Sequence, residues 1–261
     1  MHVILPFVNL KKEIYSLLNV MERKLILLLA LVFLHVFAFS QQPMKVLVFS
    51  KTEGGYRHAS IEAGKQMFIS MATHRNFTVD TTEDAARFND SSLNRYDVVV
   101  FLSTRGNVLD TFQQRAFQRF IRKGKGFVGI HAATTTEYSW PWYNKLIGAY
   151  FDGHPEPQEA LYRKVDSRFP GIRHFPDSLT WMDEVYDFRS LQDSLNYVIT
   201  VDENTYTGGK MGGFHPVSWY HVFENARVFY IGLGHFDAAY TNSMFVNIIY
   251  NSLVWCAKKE Q

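Results

Sequence analysis

Two continuous apolar runs with a helical segment between them constrain the fold of this chain most strongly. Asp97-Val-Val-Val-Phe-Leu102 and Gly126-Phe-Val-Gly-Ile-His131 show no alternation of polar and apolar residues, which is typical of parallel strands covered on both faces. Between them, residues 111–123 repeat apolar side chains at helical spacing, and Gly124 follows where helices commonly end. The order strand, helix, strand predicts an open parallel sheet with right-handed crossovers.

The regions on either side extend this pattern. Residues 45–50 predict a first buried strand, Ser60 is expected to cap the following helix, and residues 77–81 predict a second strand. The C-terminal half differs, because its predicted strands (161–165, 197–201, 217–221 and 228–233) partly alternate and have no long helices between them. An apolar helix over residues 245–257 is expected to close the chain. The prediction is an α/β three-layer sandwich with a mostly parallel central sheet and extra antiparallel strands in the C-terminal half.

The helix over residues 111–123 is the most clearly amphipathic segment. Its buried stripe is expected to contain the residues Phe112, Ala116, Phe117, Phe120 and Ile121.

The first 40 residues predict export rather than fold. Arg23 and Lys24 precede an apolar run over residues 25–39, and Ala38-Phe39-Ser40 forms a small-x-small cleavage pattern before Gln41. The run is shorter than the ~20 residues that span a bilayer. We therefore expect an upstream extension plus a signal peptide (Met21–Ser40) over residues 1–40, with the true start at Met21. A single domain over residues 41–261 would then be periplasmic or secreted, without a stable membrane anchor.

Composition excludes several classes of function. The 27 Lys and Arg residues nearly balance the 25 Asp and Glu residues, and no basic cluster interleaved with aromatic residues is present, so nucleic acid is not an expected partner. The single cysteine, Cys256, rules out a disulfide framework and a cysteine-based metal cluster. Because Cys256 lies in an apolar helix, we expect it to be a core residue.

Polar residues follow the predicted strands, where ligands bind in open parallel sheets. His58, His131 and His235 each follow a different strand, so three imidazoles are expected at one edge of the sheet. His131 stands where a nucleophile elbow would place Ser or Cys, which excludes acyl transfer and thiol amidotransferase chemistry there. His131, Glu184 and His235 are the candidate catalytic residues. Partial burial is expected to raise the pKa of Glu184 and suit it to general acid–base work.

These segments together resemble the ThuA-like (trehalose-utilisation) family, whose fold is the flavodoxin-like, class I glutamine amidotransferase-like sandwich. The strongest are Gly126-Phe-Val-Gly-Ile-His-Ala-Ala133 and Tyr230-Ile-Gly-Leu-Gly-His235. The others are residues 45–58, 96–102, 138–143, 148–155, 183–186 and 215–219. The resemblance spans about residues 45–257. Thr135 and Phe214 stand where the family commonly has aspartate, which puts in doubt any role that needs those carboxylates. The residues that match the family are His58, His131, His154, Glu184, His215 and His235.

The resemblance implies a role in carbohydrate utilisation, with a disaccharide or keto-glycoside as the small-molecule partner. The candidate substrate-binding residues are Arg57, His58, Thr104, Trp142, His154, Tyr186 and His215. The aromatic rings of Trp140, Trp142, Tyr143 and Tyr186 could face a sugar ring. Alternatively, the first three of these simply pack a long loop.

Three functions are compatible with this pattern. The leading one is an enzyme that moves protons next to a sugar carbonyl with His and Glu, as a hydrolase, lyase or isomerase. The second is a non-catalytic sugar-binding protein. The third is a metal-dependent hydrolase or lyase, since His and Glu from loops can hold a divalent metal, although no local ligand spacing such as HExxH is present. Residues 208–213, which are rich in glycine, lack a phosphate-loop pattern and predict a mobile loop over the site. The oligomeric state is left open.

Overall fold

The computed structural model describes residues 15–26, 42–173 and 175–259, which belong to two units, residues 1–42 and 43–261. In the first unit, residues 15–26 form a helix with exposed side chains. Most of the predicted signal peptide, including its cleavage site, lies outside the described residues. None of the helices described is long and apolar enough to cross a membrane.

The second unit alternates strands and helices in its first half and is mainly strands in its second half. The strands are β1 (Met44–Phe49), β2 (Phe77–Thr82), β3 (Val98–Leu102), β4 (Gly126–Ile130), β5 (Tyr150–Gly153), β6 (Gln158–Lys164), β7 (Ser178–Asp183), β8 (Asp187–Arg189), β9 (Asn196–Asp202), β10 (His215–Phe223) and β11 (Ala226–Ile231). The α-helices are α1 (Ile61–His74), α2 (Asp90–Leu93), α3 (Thr111–Arg122), α4 (Pro141–Ile147) and α5 (Ser243–Cys256).

Nine strands form one sheet in the order β2-β1-β3-β4-β11-β10-β9-β6-β7. The pairs among the first five strands are parallel, and the pairs from β11 through β7 are antiparallel. Strands β5 and β8 form a separate antiparallel pair. This arrangement confirms the predicted fold class, including the parallel centre and the antiparallel C-terminal half.

The sheet separates two apolar layers because successive side chains of a strand point to opposite faces. Val46, Val48 and Val100 pack with helices α1 and α5 on one face. Leu47 and Phe101 pack with α3 and α4 on the other. The strands β3 and β4 are buried along their whole length, as their continuous apolar sequences require.

The sequence pattern predicts where these helices lie more accurately than it predicts their capping residues and first turns. Asp110 caps α3 in a capping box, and Gly124 follows this helix with a positive φ of 78°. Phe112 is 80% exposed, however, so its predicted place in the buried stripe is wrong: it lies in the first turn, and burial begins one turn later at Ala116. The Ser60 side chain does not cap α1 but donates a hydrogen bond to the carbonyl oxygen of Gly234 at 3.1 Å. This bond ties α1 to the loop that carries His235.

His221 makes the stability of the fold depend on pH. It is 2% exposed in β10, and burial lowers its pKa to about 4. In the unfolded chain its pKa is ~6.5, so the unfolded state takes up a proton more readily. The neutral imidazole therefore makes its full contribution to the free energy of unfolding above pH ~6.5, and this contribution declines as the pH falls toward 4. At pH 5 the free energy of unfolding is lower by about 2 kcal/mol.

We predict that His221→Leu removes this dependence. Leucine does not titrate, and the Nδ1 atom that it replaces has no hydrogen-bond partner among the described residues. Urea unfolding of both proteins at pH 7 and pH 5 should show a smaller loss of stability in the variant, by about 2 kcal/mol. Identical losses in the two proteins would show that His221 does not titrate in this range. Titration of other groups is common to both proteins and cancels.

Candidate metal centre

Four side chains from distant parts of the sequence meet beyond the carboxyl ends of the strands. His58 follows β1, His131 follows β4, Glu184 follows β7 and His235 follows β11. One ligand atom from each lies within 4.8 Å of the others. His58, His131 and Glu184 are buried, and His235 is half-buried. Three imidazoles and one carboxylate form a donor set that suits Zn²⁺ or another first-row divalent metal.

The spacing of these atoms fits a shared ion better than direct hydrogen bonds. The Glu184 Oε2 atom lies 3.2 Å from His235 Nδ1, 3.4 Å from His131 Nε2 and 3.8 Å from His58 Nε2. Ligand atoms that each lie about 2.0–2.2 Å from a tetrahedral ion are separated from one another by roughly 3.3–3.6 Å. The Nδ1 atom of His235 is also buried without a partner that meets hydrogen-bond geometry among the described residues. The cluster therefore has an unused donor atom where an ion would sit.

The position of His131 is fixed by the backbone on both sides. It is the first residue after β4 and adopts a positive φ of 50°, which turns the chain sharply at the end of the strand. Its Nδ1 lies 2.8 Å from the carbonyl oxygen of Gly232. Because a carbonyl only accepts, Nδ1 carries a proton, and the Nε2 atom of the neutral ring is left to bind an ion. Such an outer hydrogen bond is the usual means of orienting a metal-binding histidine.

The electrostatics of Glu184 differ from the sequence expectation. Burial by itself would raise the pKa of Glu184, but the imidazoles of His131, His235 and His58 beside its carboxylate outweigh burial and hold the pKa far below its usual range. The predicted rise is therefore wrong. Glu184 therefore remains ionised at neutral pH. An ionised carboxylate suits a metal ligand but has no proton to give as a general acid.

The pKa values of His58 and His235 shift in opposite directions. Burial lowers the pKa of His58 to about 4, so His58 is neutral at physiological pH. The Glu184 carboxylate, 3.2 Å from its Nδ1, raises the pKa of His235. A metal ion would displace the proton from His235, because metal ligands bind in their deprotonated form.

Asp183 holds the cluster together and was missed by the sequence analysis. Its carboxylate, which is fully buried, accepts hydrogen bonds from the backbone N–H groups of Glu184 (2.8 Å), Gly234 (2.9 Å) and His235 (3.0 Å). The indole N–H of Trp181 lies 3.2 Å from the same carboxylate. One side chain thus fixes the backbone of two candidate ligands. The only sequence signal was its place beside Glu184 in an acidic and apolar segment.

Two further predicted residues border the cluster. His154 is about one-third exposed, and its Nδ1 lies 3.1 Å from Glu184 Oε1 and 2.8 Å from the carbonyl oxygen of Pro155. The Tyr186 hydroxyl lies 3.0 Å from His131 Nε2, and its ring stacks on the His131 ring at 4.5 Å. Burial raises the pKa of Tyr186 well above its ordinary value. Tyr186 is therefore a hydrogen-bond donor in this site.

His215 and Thr104 lie outside the four-residue cluster. His215 Nε2 donates to the carbonyl oxygen of Tyr186 at 2.8 Å, and its Nδ1 lies 2.8 Å from Glu203 Oε1. His215, Glu203 and Asp187 form a second group of neighbouring ligand atoms. The buried Thr104 hydroxyl shares a hydrogen bond with that of Thr136.

The structure places Arg57 and Trp142 in contacts away from the four-residue cluster. The Arg57 guanidinium is bound to Glu62 and Glu83, at 2.6 Å from each, so its charge is already compensated. Trp142 stacks on Trp140 and donates its indole N–H to Glu224 in the β10–β11 turn. That turn precedes β11, whereas the cluster lies beyond the opposite end of this strand. The alternative that these tryptophans pack a loop describes them better.

Other aromatic rings border the cluster instead. Tyr56 is 56% exposed and packs edge-on against His58, and Phe236 is 38% exposed and packs edge-on against His235. Phe151 contacts both His154 and Tyr186. We call Tyr56, Phe151 and Phe236 the aromatic rim.

The remaining sequence expectations concern two loop features. The glycine-rich loop is attached to the second group, because Lys210 N–H donates to Asp187 and Met211 N–H donates to Glu203. The hydroxyl of Thr135, which replaces a family aspartate, donates to the carbonyl oxygen of Ala132. Phe214, at the other replaced position, is half-exposed against Tyr197.

We predict that the protein binds one Zn²⁺ ion per chain at the cluster. His131→Ala removes a ligand and should weaken binding at least about 100-fold, since even outer-shell changes cost 10–100-fold. Isothermal titration calorimetry of chelator-treated protein measures this directly. The control is His74→Ala, because His74 is an exposed histidine of α1. Equal affinities of the two variants would contradict the assignment.

The role of Asp183 gives a second prediction. Asp183→Asn places an amide where backbone N–H groups now donate, so the loop with His235 should shift and Zn²⁺ affinity should fall about 10–100-fold. The matched control is Asp90→Asn, which breaks an exposed ion pair with Arg119. Affinities are compared at a temperature where circular dichroism shows both variants folded. An unchanged Zn²⁺ affinity in folded Asp183→Asn would show that this carboxylate does not position the ligands.

Comparison with known proteins agrees with this architecture. Residues 45–256 match the family described as ThuA, Trehalose utilisation. No curated protein matches the chain. Among solved structures, a ThuA-like protein from Bacteroides uniformis is 22% identical with a TM-score of 0.73, and the alignment covers 85% of this chain and 95% of that one. A ThuA-like protein from Parabacteroides merdae is 21% identical with a TM-score of 0.70, and the alignment covers 84% of this chain and 91% of that one. The chain belongs to the ThuA (trehalose utilisation) family and has the α/β fold of these ThuA-like structures.

Proposed function

We propose that this protein is a divalent-metal-dependent enzyme that acts on a carbohydrate. The observation that carries the proposal is the convergence of His58, His131, His235 and Glu184, whose ligand atoms lie within 4.8 Å of one another. In this cluster His235 Nδ1 has no hydrogen-bond partner among the described residues. A buried carboxylate with a low pKa argues against Glu184 as the general acid of a metal-free mechanism. The metal-dependent alternative therefore takes precedence over the metal-free one.

Each part of the site has a distinct chemical task in this proposal. A bound divalent ion supplies Lewis acidity, polarising a sugar oxygen or activating water. His154 is about one-third exposed and its Nδ1 lies 3.1 Å from Glu184 Oε1, so its imidazole is placed for proton transfer beside the cluster. Asp183 and Gly232 hold the ligands in position through the hydrogen bonds described above.

Two observations support a carbohydrate as substrate. The family is described by trehalose utilisation. The aromatic rim presents apolar ring faces beside polar groups, a combination that matches the C–H face and hydroxyl edge of a pyranose. A keto-glycoside suits such a site, since its carbonyl and neighbouring hydroxyl oxygens could both approach one ion. The reaction would be a hydrolysis, an elimination or an isomerisation next to that carbonyl.

Turnover is the test of this function. Chelator-treated protein is incubated with trehalose, methyl glucosides and their 3-keto forms, with and without Zn²⁺, Mn²⁺ or Co²⁺, and products are followed by mass spectrometry. We expect turnover of at least one sugar only when a metal is added. His154→Ala should retain the metal but lose about 10²–10⁴-fold in kcat, the usual contribution of a positioned acid or base. Sugar that binds and is recovered unaltered under every metal condition would instead favour a sugar-binding protein.

We also propose that the enzyme acts outside the cytoplasm. The support is the sequence of residues 21–40, with a basic start, an apolar stretch and Ala38-Phe39-Ser40 before Gln41. Edman sequencing of protein recovered from the producing cells should give a mature terminus at or near Gln41. Soluble cytoplasmic protein that still begins at Met1 or Met21 would contradict export.

A further inference from the structure

Tyr186 occupies the electron pair that His131 would offer to an ion. His131 Nδ1 donates to the carbonyl oxygen of Gly232, so in the neutral ring Nε2 has only a lone pair. The Tyr186 hydroxyl is 3.0 Å from Nε2 and is then the donor. A lone pair accepts either a hydrogen bond or a metal ion. Ion binding at His131 and the present hydrogen bond of Tyr186 are thus mutually exclusive.

Other contacts keep the Tyr186 ring in place when its hydrogen bond to His131 is lost. Its carbonyl oxygen accepts a hydrogen bond from His215 Nε2, and its ring lies between those of His131 and Phe151. Tyr186 is only 3% exposed. A buried hydroxyl without an acceptor is destabilising, so the O–H group needs a new partner close to its present position. Two kinds of acceptor are available there: the Glu184 carboxylate, or an oxygen of the molecule bound beside the ion.

We propose that metal binding releases the Tyr186 hydroxyl to donate a hydrogen bond to a carbonyl, hydroxyl or carboxylate oxygen of the ligand held next to the ion. This role rests on the proposed function and deepens it. A donor aimed at that oxygen stabilises negative charge that develops there during reaction. It makes Tyr186 a catalytic residue, whereas the sequence predicts only substrate binding for it.

The test measures how Tyr186→Phe changes the affinity for Zn²⁺ and the affinity for an oxygen-donor probe, and only the second should fall. The phenol no longer competes for Nε2, so Zn²⁺ should bind as tightly as in the wild type or up to about 10-fold more tightly. Acetohydroxamate, an oxygen-donor probe, should bind the Zn²⁺-loaded variant about 5–10-fold more weakly, because one hydrogen bond to it is missing. Both are measured by calorimetry on the full chain. The control is Tyr162→Phe, since the buried Tyr162 hydroxyl has no partner among the described residues.

Each result has a clear meaning. Weaker Zn²⁺ binding by Tyr186→Phe would overturn the proposal, because it would show that the hydroxyl supports Glu184 or the local structure. Unchanged acetohydroxamate affinity would also overturn it, with the metal site left standing. No Zn²⁺ binding by the wild type would refute the metal centre itself, and this role with it. In the wild type, one ¹³Cζ-tyrosine resonance should shift on Zn²⁺ addition and again on addition of the probe, and should be absent from Tyr186→Phe.

Discussion

A buried negative charge governs the arrangement of this site. The Glu184 side chain is nearly inaccessible to solvent, and a lone carboxylate in such a position would be strongly destabilising. Three imidazoles and the partly exposed His154 surround it, and their interactions keep it ionised. Such an arrangement needs a positive charge at its centre, either as protons shared with the histidines or as a metal ion. The His235 Nδ1 atom, which has no hydrogen-bond partner among the described residues, favours the ion.

The sheet topology explains how these residues meet. β1, β3, β4 and β11 are consecutive neighbours with parallel pairing, so the residues after β1, β4 and β11 share one edge. Glu184 arrives from β7, the last strand of the antiparallel half, and no strand pairing joins that strand to the others in this group. The Asp183 carboxylate makes this connection by binding the backbone of Gly234 and His235. Tyr186 belongs to the same segment as Asp183 and Glu184, and its carbonyl oxygen accepts a hydrogen bond from His215.

The sequence predicts the parts of this structure that depend on local pattern. Apolar runs identify β3 and β4, and the strand-end position of His131 and His235 follows from the parallel arrangement. Contacts between distant segments leave no local periodicity, so neither the role of Asp183 nor the packing of Trp142 at the far end of β11 could be predicted. The pKa of Glu184 was misjudged for the same reason: burial was inferable from its neighbours in sequence, but the three histidines that oppose it come from elsewhere in the chain.

The central claim is that Glu184 and the three histidines bind a divalent ion. Crystals grown with Zn²⁺ and measured on both sides of the zinc absorption edge test it most directly. We predict an anomalous difference peak at about 2.0–2.2 Å from the ligand atoms of His58, His131, Glu184 and His235. A peak only at the second group (Asp187, Glu203 and His215), or none in the described part of the chain, would contradict the account.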